Sequence, residues 1–171
     1  MKSAALGWYL LASAVLVADL FTKHLAVTHL TYANPVAIAQ WFDFTLLYNR
    51  GAAFSFLSQA AGWQRWGLSV VAALVSVALA IWLYRLPASA WDRGVALAMI
   101  LGGALGNLWD RLTLGYVVDF IHLHYREYYW PAFNVADAAI TSGAILLVAL
   151  SLFEPKQDGA EARRHRNGTQ V

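Results

Sequence analysis

Two aspartates, Asp119 and Asp137, are the residues of this chain best suited to chemistry. Asp119 lies in the apolar segment 117–121, a setting that a solvated loop carboxylate would not require. Asp137 follows Asn134 near the expected start of a helix, where the helix dipole favours an ionised carboxylate. Taken singly, each aspartate could equally be a helix cap or an anchor. Taken together, they suggest a catalytic pair.

Two carboxylates that share a dry site cannot easily both ionise, so they retain one proton between them. The ionised partner can take a proton from water as the water attacks a carbonyl carbon. The protonated partner can donate to the developing oxyanion. The pair therefore predicts hydrolysis of a peptide bond, and the sequence leaves open which aspartate holds the proton.

Other chemistries compete for the same region. Ser55 and Lys23 could form a serine–lysine dyad, but Ser55 has no strained-turn signature around it. Asp119, His122 and His124 could bind a metal ion. Two histidines at positions i and i+2 share a face only in a strand, however, and Asp119 would then face the other way. The chain has no cysteine, which excludes thiol chemistry by the protein itself.

The composition indicates that these groups act in a membrane. Of 171 residues, 60% are hydrophobic and only 13% are charged, which exceeds the apolar content of an ordinary soluble domain. The net charge of +2 is too small and too scattered for nucleic acid binding. The one basic run, 163–166, lies in a tail that we interpret as solvated and disordered.

Four stretches approach the roughly 20 helical residues that a bilayer core requires: 4–27, 67–84, 93–111 and 133–153. The predicted fold is therefore mainly α and integral to the membrane, with a four-span domain over 1–155 and a cytoplasmic tail over 156–171. The first span imitates a signal peptide, but no convincing cleavage site ends it, so we expect it to be retained. Long outer loops are expected at about 28–66 and 112–132, with a short connection at 85–92.

The first long loop carries a strand pattern. Four apolar residues alternate along it with a period of two: Phe42, Phe44, Leu46 and Tyr48. We expect Asn49, Arg50 and Gly51 to form the turn, and Phe54 and Phe56 to belong to the returning strand. This predicts a small extracytoplasmic β-sheet on the membrane surface. The second long loop is aromatic enough to lie in the interface.

Polar residues collect at one end of the predicted bundle. Odd spans end, and even spans begin, on the same outer face. That parity brings together Asp19 and Lys23 of span one, Asn107, Asp110 and Arg111 of span three, and Asn134 and Asp137 of span four, joined by Asn49 and Asp119 from the loops. A charged group at membrane depth costs at least about 2.5 kcal/mol, so a bundle held by packing alone would not need this collection.

Spacing predicts local contacts within this collection. Asp19 and Lys23 stand at i and i+4 with the acid first, which favours an ion pair. Gly102 and Gly106 allow two helices to approach closely, and Gly103 widens that groove. Asp110 and Arg111 are adjacent on a helix and should have separate partners.

The distribution of lysine and arginine sets the expected orientation. Seven lie on the side of both termini, namely Lys2, Arg85, Arg93, Lys156, Arg163, Arg164 and Arg166, and five lie opposite, namely Lys23, Arg50, Arg65, Arg111 and Arg126. This predicts that both termini are cytoplasmic.

Five segments of the sequence resemble the bacterial lipoprotein signal peptidase family, or signal peptidase II, a family of intramembrane aspartyl peptidases. The segments are Asp19-Leu-Phe-Thr-Lys23, Asn49-Arg-Gly-Ala-Ala-Phe54, Gly102-Gly-Ala-Leu-Gly-Asn-Leu-Trp-Asp-Arg111, Val117-Val-Asp-Phe120 and Phe133-Asn-Val-Ala-Asp137. They occur in family order and span nearly all of the chain except the tail.

This resemblance implies a function and roles for the residues. It implies that Asp119 and Asp137 are the catalytic dyad. It implies that the site is supported by Asp19, Lys23, Asn49, Gly103, Asn107, Arg111 and Asn134. The implied substrate is a prolipoprotein with a diacylglyceryl cysteine, cut immediately before that cysteine in the bacterial cytoplasmic membrane. No metal or organic cofactor is implied, and one chain holds every part required, so we expect a monomer in contact with membrane lipid.

Two other classes of protein remain as alternatives. A small proton-coupled transporter or channel could use the carboxylates and Lys23 as relay groups, but its pathway should place polar residues through the whole membrane depth. A scaffold protein would explain Gly102 and Gly106, but not two aspartates delivered by separate segments.

Overall fold

The computed structural model describes residues 3–51 and 63–153 and is mainly helical. Its elements, in chain order, are α1 (Ser3–His29), β1 (Val36–Ala39), β2 (Phe42–Asn49), α2 (Trp63–Arg85), α3 (Trp91–Thr113), β3 (Val117–Tyr125), β4 (Tyr128–Tyr129) and α4 (Val135–Phe153). Each predicted span corresponds to one helix, with ends that differ by a few residues. The predicted return strand at Phe54 and Phe56, Ser55 and the tail 156–171 lie outside the described residues.

Three of the helices are suited to a lipid environment. α1, α2 and α4 are each long and apolar enough to cross a membrane. Their outward faces carry large apolar side chains that are more than half exposed, including Leu10, Val71, Leu74, Ile145 and Leu152. Such a continuous apolar exterior would be unfavourable in water, and a bilayer covers it.

α3 is the central helix and differs in character. It packs against each of the other three helices, and its polar residues Asn107, Asp110 and Arg111 keep it out of the set that is apolar enough to span by composition. The fourth span therefore remains a prediction.

The expected close packing of glycines in α3 is confirmed. A Cβ atom at Gly102 would meet the backbone oxygen of Ala12 in α1, and one at Gly103 would meet the backbone oxygen of Ala136 in α4. Adjacent glycines thus admit two different helices. α3 can approach both α1 and α4 at backbone distance because it has no side chain at these points.

The strands form one antiparallel sheet in the order β1, β2, β3, β4. The predicted strand from Phe42 to Asn49 is confirmed, but its simple alternation is wrong. A register irregularity between Phe44 and Leu47 buries both Thr45 and Leu46.

The second long loop, predicted only as an aromatic interfacial segment, contains the strands β3 and β4. β3 pairs with β2 over most of its length, with Asp119 opposite Leu47 and Val117 opposite Asn49. The physical reason is that β2 offers an unpaired edge beside the end of α3, and the buried residues Val117 and Val118 complete it. The sheet therefore carries Asp119 to the end of the helix bundle.

Candidate active site

Asp119 is held in an almost fully buried position on β3. Only 2% of its surface is exposed. One carboxylate oxygen, Oδ1, accepts a hydrogen bond from Asn134 Nδ2 at 2.8 Å, and Oδ2 accepts one from Asn49 Nδ2 at 3.1 Å. Burial, followed by the negative charge of Asp137, raises the pKa of Asp119 to about 7, against the opposing effect of these two hydrogen bonds. The carboxyl group is therefore poised to hold a proton near neutral pH.

Asp137 lies in the first turn of α4 and is half-buried. Its Oδ1 accepts a hydrogen bond from Asn107 Nδ2 at 2.7 Å. Asn134 Oδ1 accepts from the Asp137 backbone N–H at 2.9 Å, and Asp137 Oδ2 accepts from the Asn134 N–H at 3.4 Å. This reciprocal pair is a helix N-terminal capping box. Asn134 therefore caps α4, and Asp137, which completes the capping box, also presents its carboxylate to the cavity that Asp119 lines.

Asn134 joins the two aspartates directly. Its side chain is fully buried, and its amide donates to Asp119 while its backbone and carbonyl oxygen bind Asp137. The same amide also lies within hydrogen-bond distance of Asn107 Oδ1 and of the Val118 carbonyl, both at 3.2 Å. One asparagine thus fixes the end of α4 against β3 and α3.

A buried ionic cluster lies behind the aspartates. Lys23 Nζ is 2.7 Å from Asp19 Oδ2 and 3.0 Å from Asp110 Oδ2, and it donates to Asn107 Oδ1 at 3.1 Å. The predicted Asp19–Lys23 ion pair is confirmed. The two residues lie inside α1 and not at its end, because α1 continues to His29, roughly 9 Å beyond Lys23 at the usual helical rise.

Asp19 reaches both α3 and α4. Its Oδ1 accepts a hydrogen bond from the Ala136 backbone N–H at 2.8 Å. Its Oδ2 lies too close to Gly106 to leave room for a Cβ atom, so α3 needs glycine there for this carboxylate to fit. Gly103, one turn earlier, contacts the Ala136 carbonyl instead. Both glycines therefore help to place Ala136, the residue before Asp137, because Gly106 makes room for the carboxylate that binds its N–H and Gly103 makes room for its carbonyl.

Arg111 and Asp110 have separate partners, as predicted. Arg111 Nη1 donates to the Asn107 carbonyl at 3.2 Å, and the side chain is half-buried at the cavity wall. Asp110 turns toward Lys23. The carbonyl of Arg111 accepts a hydrogen bond from Arg65 Nε at 2.7 Å, so α2 caps the end of α3.

The aspartates open onto a cavity of about 1180 Å³ at the end of the bundle. Its described lining consists of Tyr32, Leu47, Tyr48, Asn49, Arg50, Arg111, Asp119, Leu123, Trp130, Pro131, Ala132, Phe133, Asp137, Ala138, Thr141 and Ser142. The other candidates, Asp19, Lys23, Gly103, Asn107 and Asn134, form a layer behind this wall. The structure therefore brings all nine candidate residues together, four at the cavity and five in support.

The histidines of β3 belong to a different environment. His124 Nε2 lies 3.2 Å from Asp43 Oδ2, and the rings of His122 and His124 both pack against Tyr129. Over residues 3–51 and 63–153, no group of three or more potential ligands is placed to hold a metal ion. Lys23 is buried between two carboxylates, which is unsuitable for the base of a serine–lysine dyad.

Asp110 is the member of the ionic cluster around Lys23 for which the sequence predicted no role. Its position at the outer end of α3 was recognised, but its partners lie on α1 and β3. β3 was not foreseen as a strand, so the contact with its backbone could not be anticipated.

Comparison with known proteins places the chain in a family. The model of the family described as signal peptidase (SPase) II matches residues 11–153. The chain is 54% identical over 153 residues to the lipoprotein signal peptidase of Teredinibacter turnerae, covering 90% of this chain and 91% of the relative. It is 53% identical over 150 residues to that of Acinetobacter baumannii, covering 88% and 85%.

A solved structure agrees with this similarity. A bacterial membrane enzyme determined by the in meso method superimposes with a TM-score of 0.77 and 28% sequence identity, covering 87% of this chain and 94% of that one. A second such structure gives a TM-score of 0.73, also at 28% identity, and covers 91% and 92%. From the matched family model, the close relatives and the site geometry together, we conclude that this chain belongs to the signal peptidase II family.

Proposed function

We propose that this chain is an aspartic endopeptidase that removes signal peptides from prolipoproteins, with Asp119 and Asp137 as its catalytic dyad. Its relatives at about half identity carry the name lipoprotein signal peptidase. The observation that carries the residue assignment is that two carboxylates from separate elements are joined through Asn134 and line one cavity.

The environments of the two aspartates support different roles. Asp119 is the buried member, and its pKa of about 7 favours retention of the shared proton. Asp137 is more exposed to the cavity, where water is available. In our proposal Asp137 takes a proton from the attacking water as its oxygen bonds to the scissile carbonyl carbon. Asp119 donates its proton to the carbonyl oxygen, giving a neutral tetrahedral intermediate.

Collapse of this intermediate completes the reaction. The proton taken by Asp137 passes to the leaving amide nitrogen as the carbon–nitrogen bond breaks. Asp119 recovers a proton from one hydroxyl of the intermediate as the new carboxyl group forms. The products are the signal peptide with a free carboxyl end and the mature chain with a free amino end. The dyad returns with one proton, and water is the only co-reactant.

We extend the proposal to the substrate and its approach. The bond cut is the one immediately before a cysteine that carries diacylglyceryl. Such a substrate is itself anchored in the bilayer and can arrive laterally. On α4, the residues Ala138, Thr141 and Ser142, which follow Asp137 along the helix, line the cavity that would receive it. A single chain supplies both aspartates, so the proposed working form is a monomer in contact with membrane lipid.

The proposed topology has four spans in the bacterial cytoplasmic membrane. α3 would be the fourth span, since its 23 residues are roughly 34 Å long and the other three helices surround much of its surface. The domain would occupy residues 1–155, and the tail 156–171 would be cytoplasmic. Both termini would face the cytoplasm, with the sheet and the dyad near the opposite face.

A transporter is disfavoured by the position of the polar groups. Asp19, Lys23, Asp110 and Arg111 all lie toward one end of the bundle, and their partners are there as well. The large side chains on the described middle of α2 and α4 are apolar. A continuous polar path through the membrane is therefore not supported.

The deciding assay compares a diacylglyceryl-modified precursor with the same precursor lacking the lipid, each incubated with purified protein in detergent. We expect cleavage immediately before the cysteine of the lipidated precursor and little cleavage of the other, measured by mass spectrometry of the products. Equal cleavage of both would remove the lipid requirement, and cleavage of neither would refute the proposed function.

A further inference from the structure

Asp110 makes two contacts that link it to Asp119. The residue is 3% exposed, and Oδ2 accepts a hydrogen bond from the Val118 backbone N–H at 3.1 Å. Val118 is the residue immediately before Asp119. Asp110 Oδ2 therefore holds the peptide unit between Val117 and Val118, one residue before Asp119.

The backbone of Asp110 strengthens this link. Its carbonyl oxygen accepts hydrogen bonds from Leu114 N–H at 2.7 Å and from Gly115 N–H at 3.2 Å. Gly115 has a φ of +86°, the left-handed conformation with which helices commonly end. One residue thus holds both the turn that leaves α3 and the start of β3, which delivers Asp119.

Asp19 stands in the same relation to Asp137. Its Oδ1 accepts from the N–H of Ala136, the residue immediately before Asp137, at 2.8 Å. Asp19 and Asp110 both contact Lys23 Nζ, at 2.7 and 3.0 Å. The residue before each dyad aspartate therefore donates its backbone N–H to a buried carboxylate, that of Asp110 or Asp19. These two supporting carboxylates share the ammonium group of Lys23.

We propose that Asp110 is a positioning residue for the peptidase reaction, which sets the location of Asp119 through the Val118 amide, and that Lys23 couples this placement to that of Asp137 through Asp19. The inference rests on the proposed function, because it assumes that the two aspartates act together. Asp110 is not part of the cavity wall, so we assign its effect to the residues that it holds.

Misplacement of a reacting group by about 1 Å can cost about 100-fold in rate while leaving substrate contacts intact. Removal of the Asp110 carboxylate should therefore lower kcat and leave KM nearly unchanged. A residue that served only the stability of the fold would, once the protein was folded, leave kcat per folded molecule unaffected.

The test compares Asp110→Leu, which has no acceptor, with Asp110→Asn, which keeps an oxygen for the Val118 N–H. We expect kcat to fall about 100-fold in Asp110→Leu with KM within about threefold of wild type. Asp110→Asn should recover much of this loss, with kcat reduced only about 10-fold, because the acceptor remains but the charge-assisted contact with Lys23 is lost. Asp92→Leu, at the opposite end of α3, is the matched control and should behave as wild type.

Cleavage of the diacylglyceryl-modified precursor is normalised to the folded fraction from size-exclusion chromatography. Wild-type kcat in Asp110→Leu, or a rise in KM that accounts for the loss, would overturn the inference. If Asp110→Leu does not fold, Asp110→Asn decides, since either unchanged kcat or a loss confined to KM would contradict the assignment. If wild-type protein cleaves nothing, the proposed function fails first and separately.

Discussion

At the scale of single residues, the two aspartates are not equivalent. Asp119 is buried and receives hydrogen bonds from two asparagines, whereas Asp137 is half-buried and belongs to a helix cap. The sequence predicted the pair, with Asp119 in an apolar segment and Asp137 near a helix start, but it left open which of them holds the proton. Burial depends on which segments cover a residue, and β3 was not foreseen.

The raised pKa of Asp119 predicts a pH-dependent change in stability. The folded protein favours the neutral carboxyl group, so stability from this group is present below its ordinary pKa of 3.8 and is lost as the pH rises through about 7. The rise of this pKa from 3.8 to about 7 corresponds to a loss of folding stability on the order of 4 kcal/mol at high pH. Asp119→Asn cannot ionise and should lose this dependence.

Thermal unfolding in detergent between pH 4 and pH 8 measures this. The stability of Asp119→Asn minus that of wild type should increase from pH 4 to pH 8, because only wild type loses stability from this group over that range. A stability difference between the two proteins that does not vary with pH would contradict the assigned environment of Asp119.

At the scale of secondary structure, the helices followed from composition and the sheet followed only in part. The strand at Phe42–Asn49 was predicted from its apolar alternation, and the structure confirms it. β3 was missed because the sequence 117–125 begins with adjacent valines and then alternates apolar residues with histidines, which reads equally well as an interfacial segment. Its partner strand and the end of α3 decide its conformation, and neither is local information.

The glycines of α3 predict a specific sensitivity to added volume. In Gly103→Ala the new methyl group would meet the backbone oxygen of Ala136, which cannot move without moving the start of α4 and Asp137. We expect a loss of about 1–3 kcal/mol in stability and a fall in cleavage rate. Melting temperature and kcat should be measured on the same preparation.

Gly7→Ala provides the matched control for this substitution. Gly7 also lies within a helix, but an added Cβ would meet nothing within 4 Å. Its replacement should be neutral or stabilising by about 0.5–1 kcal/mol. Equal effects of the two substitutions would indicate that close packing of α3 and α4 is not what Gly103 provides.

At the scale of the whole molecule, helix parity already predicted that polar residues from separate segments would meet at one end. The structure confirms the meeting and adds its order, with a cavity wall in front and an ionic layer centred on Lys23 behind. Only the Asp19–Lys23 pair of this second layer was predicted from the sequence, because contacts such as Asp110 with Val118 N–H and Asp19 with Ala136 N–H join side chains to the backbones of other elements.

The proposed orientation makes a prediction for the intact membrane protein. A reporter fused after Val171 should lie in the cytoplasm, and one inserted near Ser58 should lie on the opposite side, because lysine and arginine favour the cytoplasmic face. Paired alkaline phosphatase and fluorescent protein fusions distinguish the two sides. The reverse pattern would overturn the orientation. Both reporters on one side would contradict three spans between Ser58 and Val171, and therefore the four-span topology.

The catalytic assignment is tested most directly by cleavage of a diacylglyceryl-modified precursor by Asp119→Asn and Asp137→Asn in detergent. Each amide keeps the size of the side chain it replaces but cannot exchange a proton with water or the scissile carbonyl. We expect each variant to remain folded by size-exclusion chromatography and to release no signal peptide under conditions in which wild type completes the reaction. Full activity in either folded variant would contradict the dyad.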